Sequence, residues 1–498
     1  MYQDVIRLLE RANVDKRSKT PAYLQISFAV MRYIRRGQLA GGRKLPGTRM
    51  MAEALHVHRR TLQLALDELL AQGWLEIIPR QGTFVSRNLP ELRPVKNLSI
   101  SIAQKYPDTT QFRIKETVGN AFIESNFQRN GYLILAEGFP DIRLAPMNEY
   151  LRELRSIEKR PTSRKYFHYG DPKGTVYLRE VLAAYLKETR SMPVSPDNII
   201  ITRGAQMGLY VSCRVLLKAA DEVVIADPNY VTARLTLESA GGVINRVPVD
   251  DDGIDVDAIE ELCNKKKIRL VYVIPHHHHP TTVTLTPERR VRLLNLASKF
   301  NFAIVEDDYD YDFHYSSGPI VPMASLDHNG SVIYIGTLSK TLVPAVRLGF
   351  VIAPANFIRE AVRVRRFIDF QGDSMAEVAV AELYRNGIIP NHIKKVTKIY
   401  KERRDNFCAL LRERLGNHAS FRIPDGGLSV WTRFHKVDPK EVVKMAAKEG
   451  LLFYDGSTFN TKHTFNSTRL GFSSLNFQEQ ERAIEILQRC IGKAKPIN

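Results

Sequence analysis

The stretch Ser331-Val332-Ile333-Tyr334-Ile335-Gly336-Thr337-Leu338-Ser339-Lys340 decides how this chain is read. Its apolar run, Val332 to Ile335, is a buried-strand signal that breaks at glycine into a small, hydroxyl-rich loop ending in lysine. Similar runs recur on either side, at Ile199 to Ile201, Val223 to Ala226, Leu270 to Ile274, Phe302 to Val305 and Phe350 to Ile352, and they alternate with amphipathic helical stretches. Near-continuous apolar strands of this kind predict an α/β fold whose mostly parallel sheet carries helices on both faces.

A second segment, Ala303-Ile304-Val305-Glu306-Asp307-Asp308-Tyr309, ends a buried strand in acidic residues, at the edge where open α/β sheets bind ligands. Lysine, hydroxyls and a buried carboxylate together suit pyridoxal phosphate. The lysine serves its Schiff base, the hydroxyls its phosphate, and the carboxylate keeps its pyridine nitrogen protonated. Asp307 and Tyr309 are the expected ring partners, with Tyr309 donating to the phenolate oxygen, and Arg347 can clamp the phosphate. A solvated strand end or a divalent-metal site is the competing reading of the acidic cluster. Thr202-Arg203-Gly204-Ala205-Gln206 follows a strand and opens a helix, so its backbone N–H groups can cradle a phosphate. Tyr230, in Asp227-Pro228-Asn229-Tyr230, offers an aromatic face for stacking on the ring, or is simple core.

The N-terminal end reads differently. Leu24, Phe28, Met31 and Ile34 fall at helical spacing from Ala22 to Arg36. A short helix starts near Thr48, and a third, Arg59 to Gln72, carries Leu62, Ala65, Leu66, Leu69 and Leu70 inward before Gly73. Two strands, Leu75 to Ile78 and Thr83 to Val85, flank Pro79-Arg80-Gln81-Gly82. This is a winged helix-turn-helix. Its third helix begins Arg59-Arg60-Thr61, at the end that enters a major groove in this motif. Thr48 and Arg49 open the second helix, and Arg80, Gln81 and Gly82 form the wing tip, placed for phosphates or a minor groove. The partner expected is a double-stranded DNA operator; a solvated basic face is the plainer alternative.

Charge agrees with that division. The chain has 498 residues and a formal net charge of +18. Residues 1 to 90 contribute +8, leaving +10 for the other 408. No apolar run approaches the ~18 residues of a membrane span, and the first residues lack a secretory signal, so no membrane partner is expected. Cys213, Cys263, Cys408 and Cys490 fit neither a disulfide framework nor a metal knuckle, which predicts a reducing, cytoplasmic setting and no metal. Pro90, Pro94 and Pro107 mark an expected linker.

Leu45-Pro46-Gly47-Thr48-Arg49, His58-Arg59-Arg60-Thr61-Leu62, Gly73-Trp74-Leu75 and Gly82-Thr83-Phe84-Val85 resemble, in order, the DNA-binding domain of GntR-type bacterial repressors. The later segments, together with Tyr169-Gly170-Asp171-Pro172-Lys173-Gly174, Gly426-Gly427-Leu428 and Thr468-Arg469-Leu470-Gly471-Phe472, are similar to fold-type I aminotransferases. The whole chain resembles the MocR-type subfamily of GntR regulators, which fuses the two. The resemblance implies a GntR-type winged helix at 18–86, a linker at 87–130 and an aminotransferase-like domain at 131–498 with a small α+β subdomain from about 390. It implies that Lys340 is the Schiff-base lysine and that Ala205, Gln206, Thr337, Ser339 and Arg347 hold the phosphate. It also implies that Tyr230 stacks, that Arg469 grips an α-carboxylate as a bidentate fork, and that Tyr169 reaches a phosphate of the neighbouring subunit, hence a homodimer.

One stretch departs from the family. Pro275-His276-His277-His278-His279-Pro280-Thr281-Thr282 stands where the subfamily usually has His-Gln-aromatic-Pro-Thr-Gly beside the cofactor's phenolate side. Four adjacent histidines also suggest a metal site or a tag remnant, but adjacent residues cannot all face one ion from an extended chain. The resemblance implies that His278, at the position that usually begins His-Gln, lines the cofactor pocket. Thr282 replaces the usual glycine.

These readings predict a DNA-binding transcription regulator that senses an amine, an amino acid or pyridoxal phosphate itself through an aldimine at Lys340. The alternative is an active pyridoxal-phosphate-dependent aminotransferase with an accessory DNA-binding domain, because fold alone does not settle function.

Overall fold

The computed structural model describes residues 2–89, 108–114 and 131–494, apart from 13, 16–17, 19, 136–137, 316–319, 327, 458 and 460–465. Most of the segment read as a linker, 90–107 and 115–130, lies outside the described residues. Two compact units divide the chain, Met1–Lys115 and Glu116–Asn498. Among the described residues no helix is long and apolar enough to cross a membrane.

The first unit consists of α1 (Gln3–Glu10), α2 (Ala22–Arg35), α3 (Thr48–Ala54), α4 (Arg59–Ala71), β1 (Leu75–Ile78) and β2 (Gly82–Val85). The strands pair antiparallel with Ile78 opposite Gly82, which leaves Pro79, Arg80 and Gln81 as the tip of the wing. Arg80 and Gly82 both have left-handed φ, +64° and +116°, and at 82 glycine adopts that conformation without steric cost. Val5 and Leu9 of α1 join a core built on Ile26, Val30, Ile34, Leu62, Leu66 and Leu69.

One expectation is corrected here. The helix α1 lies outside the sequence expectations, although Val5, Ile6, Leu8 and Leu9 fall at helical spacing and Val5 and Leu9 are buried. The buried face of α2 is rotated from the one read: Phe28 is half exposed, whereas Ile26, Ser27 and Val30 are buried. Ser27 explains the rotation, since its hydroxyl donates to the Tyr23 carbonyl at 2.9 Å and to the Ala65 carbonyl of α4 at 3.2 Å. A small polar side chain lets the two helices approach where a phenyl ring would separate them.

The second unit begins with β3 (Leu133–Ile134), α5 (Met147–Lys159) and α6 (Val176–Arg190), then β4 (Ile199–Thr202), α7 (Ala205–Leu216), β5 (Glu222–Asp227) and α8 (Val231–Ser239). It continues through β6 (Val243–Asp250), β7 (Gly253–Ile254), α9 (Val256–Lys265), β8 (Ile268–Val273), α10 (Pro287–Phe300), β9 (Ala303–Asp308), β10 (Val332–Thr337) and β11 (Gly349–Ile352). The eight strands β4 to β11 form one sheet in the order β4-β11-β10-β9-β8-β5-β6-β7. Only the ladders involving β11 and β7 are antiparallel. Strands such as Ile199–Thr202 are buried at every position, which is why they read as continuous apolar runs. Separate apolar clusters cover the two faces, one around Leu182, Ile201 and Leu293 and the other around Leu209, Ile225 and Val351.

The chain ends with α11 (Ala355–Arg366), α12 (Ser374–Arg385), the long α13 (Ile388–Leu415), β12 (Ala419–Phe421), β13 (Ser429–Phe434), α14 (Pro439–Lys448), β14 (Leu451–Leu452), β15 (Ser467–Gly471) and α15 (Phe477–Lys493). The strands β12, β13 and β15 form a small antiparallel sheet whose core includes Leu411, Val430, Leu470 and Leu487. Each such fully buried side chain contributes about 1.5–3 kcal/mol. Arg469 lies on β15 of this small sheet, opposite Trp431 of β13.

Candidate functional site

The parallel register gathers residues that are far apart in sequence. Ile335 of β10 lies opposite Asp307 of β9, and Val273 of β8 opposite Glu306, so the three strands end together. β4 is antiparallel to β11, which is antiparallel to β10, so β4 points the same way as β10. The loops after β4, β5, β8, β9 and β10 therefore share one edge, where ligand sites of open sheets form.

Within that cluster the Asp307 carboxylate accepts a hydrogen bond from the Tyr272 hydroxyl at 2.7 Å through Oδ2. Its Oδ1 is buried with no partner among the described residues. Burial pushes the carboxyl up to about 7. The Tyr309 hydroxyl donates to the His277 carbonyl at 3.1 Å and receives Nη2 of Arg469 at 2.9 Å. Burial raises that phenol well above its ordinary value. Lys340 Nζ donates to the Gly138 carbonyl at 3.2 Å and stands 5.1 Å from the Phe139 ring and 5.9 Å from the Tyr309 ring.

The phosphate-binding expectation concerns a second group of neighbours. Ala205 and Gln206 open α7, behind Gly204 with φ +78°. A Cβ at Gly204 would sit 2.9 Å from Arg347 Nη2, so the flexible guanidinium would have to shift. Arg347 donates to the Arg203 carbonyl at 2.9 Å. Gln206 donates to Thr236 at 2.8 Å, and Thr337 and Ser339 share a 3.1 Å hydroxyl contact. A helix N-terminus, two hydroxyls and an arginine could hold a dianion, while a buried carboxylate oxygen without a donor could hold a protonated ring nitrogen. Those requirements match a phosphorylated pyridine.

The four histidines separate. His276 pairs with Asp308 at 2.9 Å and His277 with Asp310 at 3.0 Å. His278 turns to Thr281 at 2.9 Å, and burial pushes it down to about 3. It is the His279 ring that stands among the site aromatics, 5.0 Å from Tyr230 and 6.4 Å from Tyr309. Thr282 closes the loop with its N–H on the His278 carbonyl at 2.6 Å, and the His278 ring is near enough to Arg469 for that charge to push it down further. Tyr169 is 83% exposed, with its ring on Phe370 at 5.0 Å.

In the first unit His58 caps α4, accepting from the Arg60 N–H at 3.2 Å, and this leaves the Arg59 and Arg60 side chains exposed. Thr61 is half-buried beside them. Arg49, 87% exposed, follows Thr48 at the start of α3 and lies 3.5 Å from Glu53. Arg49 and Arg59 line one shallow concavity. Arg80 and Gln81 are exposed at the wing tip.

Two families match along the sequence: bacterial regulatory proteins of the gntR family over residues 22–85, and aminotransferase class I and II over residues 134–487. The probable rhizopine catabolism regulatory protein MocR of Rhizobium meliloti is 28% identical over 87% of this chain and 86% of its own. The chain belongs to the aminotransferase class I and II family, within the MocR subfamily of gntR regulators. Like other MocR-type proteins, it is a DNA-binding regulator carrying a pyridoxal-phosphate-type domain. Aromatic-amino-acid aminotransferase 1 of Thermococcus litoralis is 31% identical to this MocR-type chain over 72% of it and 87% of its own length. A solved kynurenine aminotransferase of Pyrococcus horikoshii in complex with PMP superimposes with a TM-score of 0.69 at 30% identity, covering 74% of this chain and 92% of that one. The fold is that of fold-type I enzymes, and pyridoxal phosphate is the cofactor of these relatives.

Sequence reading missed Tyr272 and His279 in this MocR-type site. Tyr272 was hidden inside an apolar run, although a tyrosine in a buried strand needs a partner for its hydroxyl, and that need was the readable signal.

Proposed function

We propose that this protein regulates transcription by coupling operator binding through residues 18–86 to occupancy of the site around Lys340. The supporting observation is convergence: Lys340, Tyr309 and Arg469 form one chain of contacts, and Asp307 beside them keeps a buried oxygen without a donor. Pyridoxal phosphate, when bound, supplies an aldehyde for an amine and a ring that draws electrons from the attached carbon. Lys340 provides the amine that anchors it. Asp307 holds the proton at the ring nitrogen, and Tyr309 donates to the ring oxygen. Thr337, Ser339, Arg347 and the N–H groups of Ala205 and Gln206 bind the phosphate, Tyr230 stacks, and Arg469 grips a carboxylate on an amino compound.

Thr48, Arg49, Arg59, Arg60, Thr61 and the wing residues Arg80, Gln81 and Gly82 contact operator DNA. The working form is a cytoplasmic homodimer in which Tyr169 serves the neighbouring subunit's phosphate; its exposure beside Phe370 supports that role. The effector is an amine, an amino acid or pyridoxal phosphate itself, and it acts only if it binds two dimer states with different affinity.

Operator footprinting with and without pyridoxal phosphate and amino compounds, on wild type and Lys340→Ala, tests the reading. Footprints that change with ligand in wild type and not in the variant are expected; footprints identical throughout overturn it. The second reading is an active aminotransferase, favoured by the same convergence and by the similarity to the aromatic-amino-acid enzyme. Multiple-turnover amino-group exchange with a keto acid would establish it.

A further inference from the structure

Tyr272 of β8 is 2% exposed, and its ring belongs to the apolar cluster that includes Ile225, Val305 and Ile333. On the parallel ladder it stands opposite Val305, and Asp307, two residues further along β9, shares that face of the sheet. Serine or threonine at this position would leave a hydroxyl short of the carboxylate, whereas the length of tyrosine carries one across. The bond takes up Oδ2 of Asp307 at 2.7 Å and leaves Oδ1 buried with no partner among the described residues. One oxygen is anchored, and the other is a buried acceptor that calls for a donor.

Electrostatics give the anchor a second consequence. Burial and the like charges of Asp308 and Asp310 push Asp307 up, and the Tyr272 hydrogen bond pulls it down. Despite its own burial, Asp308 is pushed down to about 2 by His276, Arg190 and Tyr334, so its charge beside Asp307 persists near neutral pH. Burial and the Asp307 charge raise the Tyr272 phenol well above its ordinary value, so it remains a donor. A carboxylate that shares a proton with a ring nitrogen leaves that proton on the nitrogen only if its own proton affinity is the lower of the two. Burial works against that, and a hydroxyl donating to the charged form works for it.

We propose that Tyr272 is a positioning residue for the cofactor's ring nitrogen: through its hydrogen bond it aims Oδ1 of Asp307 at that nitrogen and keeps the shared proton on the ring. The statement about the ring rests on the role proposed above for Asp307; the coupling of Tyr272 to Asp307 does not.

Tyr272→Phe removes the hydroxyl and keeps the ring. In the cofactor-free full chain, the infrared band of the protonated Asp307 carboxyl, assigned by its loss in Asp307→Asn, follows the titration. Losing a hydrogen bond to the charged form should raise the proton affinity of Asp307 at least about tenfold in Tyr272→Phe, a midpoint about one unit higher. In the loaded chain, NMR of pyridoxal phosphate labelled at the ring nitrogen should show that signal displaced towards the unprotonated value in the same variant. Fluorotyrosine in place of Tyr272, a stronger donor of nearly the same shape, should lower the midpoint, and it carries the test if thermal melts show that Tyr272→Phe does not fold. An unchanged Asp307 midpoint in the folded variants overturns the proposal. So does a ring signal that moves in Asp307→Asn but not in Tyr272→Phe, which leaves Asp307 as the ring partner and Tyr272 as a core residue. A ring signal unmoved in Asp307→Asn removes the function proposed for Asp307, and the statement about the ring falls with it.

Discussion

Arg469 and Tyr309 come from different lobes and meet at 2.9 Å, guanidinium to phenol, with the arginine 1% exposed and its Nε buried without a partner among the described residues. A buried arginine with spare donors is half of a bidentate fork. Replacement by lysine keeps the charge and removes the fork. Arg469→Lys should weaken α-amino acids by about 10- to 100-fold while leaving a matched amine without a carboxylate unaffected, read by titrating the cofactor absorbance with each.

Asp307 governs a pH response in the cofactor-free protein. Its folded value of about 7 lies above the ordinary 3.8, with burial as the main cause. The folded state therefore binds the extra proton. The stability from this group is complete below the ordinary value and is lost as pH rises towards 7. Asp307→Asn should flatten the decline in unfolding free energy between about pH 4 and 7, by up to ~4 kcal/mol, in denaturant titrations. Glu306, also pushed up to about 7 by burial, retains its own share of the slope in both proteins.

Gly204 holds a left-handed φ of +78° with the Arg347 guanidinium packed against it. Gly204→Ala should raise the dissociation constant for pyridoxal phosphate at least about tenfold, through the displaced arginine and the strained φ of +78°. Equilibrium dialysis with the cofactor measures this, and circular dichroism separates it from unfolding.

Thr282 stands at φ +63°, where the family usually has glycine. A β-branched residue in the left-handed region costs roughly 1–2 kcal/mol, partly offset by the chain entropy that glycine loses on folding. Thr282→Gly should stabilise the protein by about 1 kcal/mol in equilibrium unfolding.

At the DNA-binding end, Arg60 and Arg80 are exposed on the recognition helix and the wing. If Arg80 holds a phosphate, Arg80→Ala should weaken all DNA sequences alike and lower the salt slope of binding by about 1 per arginine. If Arg60 reads a base, Arg60→Ala should cost about 1–3 kcal/mol and relax specificity at one position.

The winged helix was legible because its parts are local. The α4 face, the turn after Leu55 and the strands around Arg80 each depend on neighbours within a few residues. Where a tertiary neighbour decided, reading failed: Ser27 against Ala65 turned the α2 face away from Phe28. The main strands were legible because burial on both faces leaves no polar alternation to misread. In the histidine run, the rings part to different neighbours, His279 to Tyr230 and His278 to Thr281, a divergence invisible in a list of adjacent identical residues.

The sequence by itself determined the two domains, the lysine-bearing loop after β10 and the acidic end of β9, since these rest on local apolar pattern and on residue chemistry. Tertiary structure alone decided that Tyr272 holds Asp307, that Arg469 reaches Tyr309 from the other lobe, and that the His277 carbonyl accepts from Tyr309. The physical reason is range: strand and helix signals repeat every two to four residues, whereas these contacts join segments 32 to 160 positions apart, where only packing sets the distance.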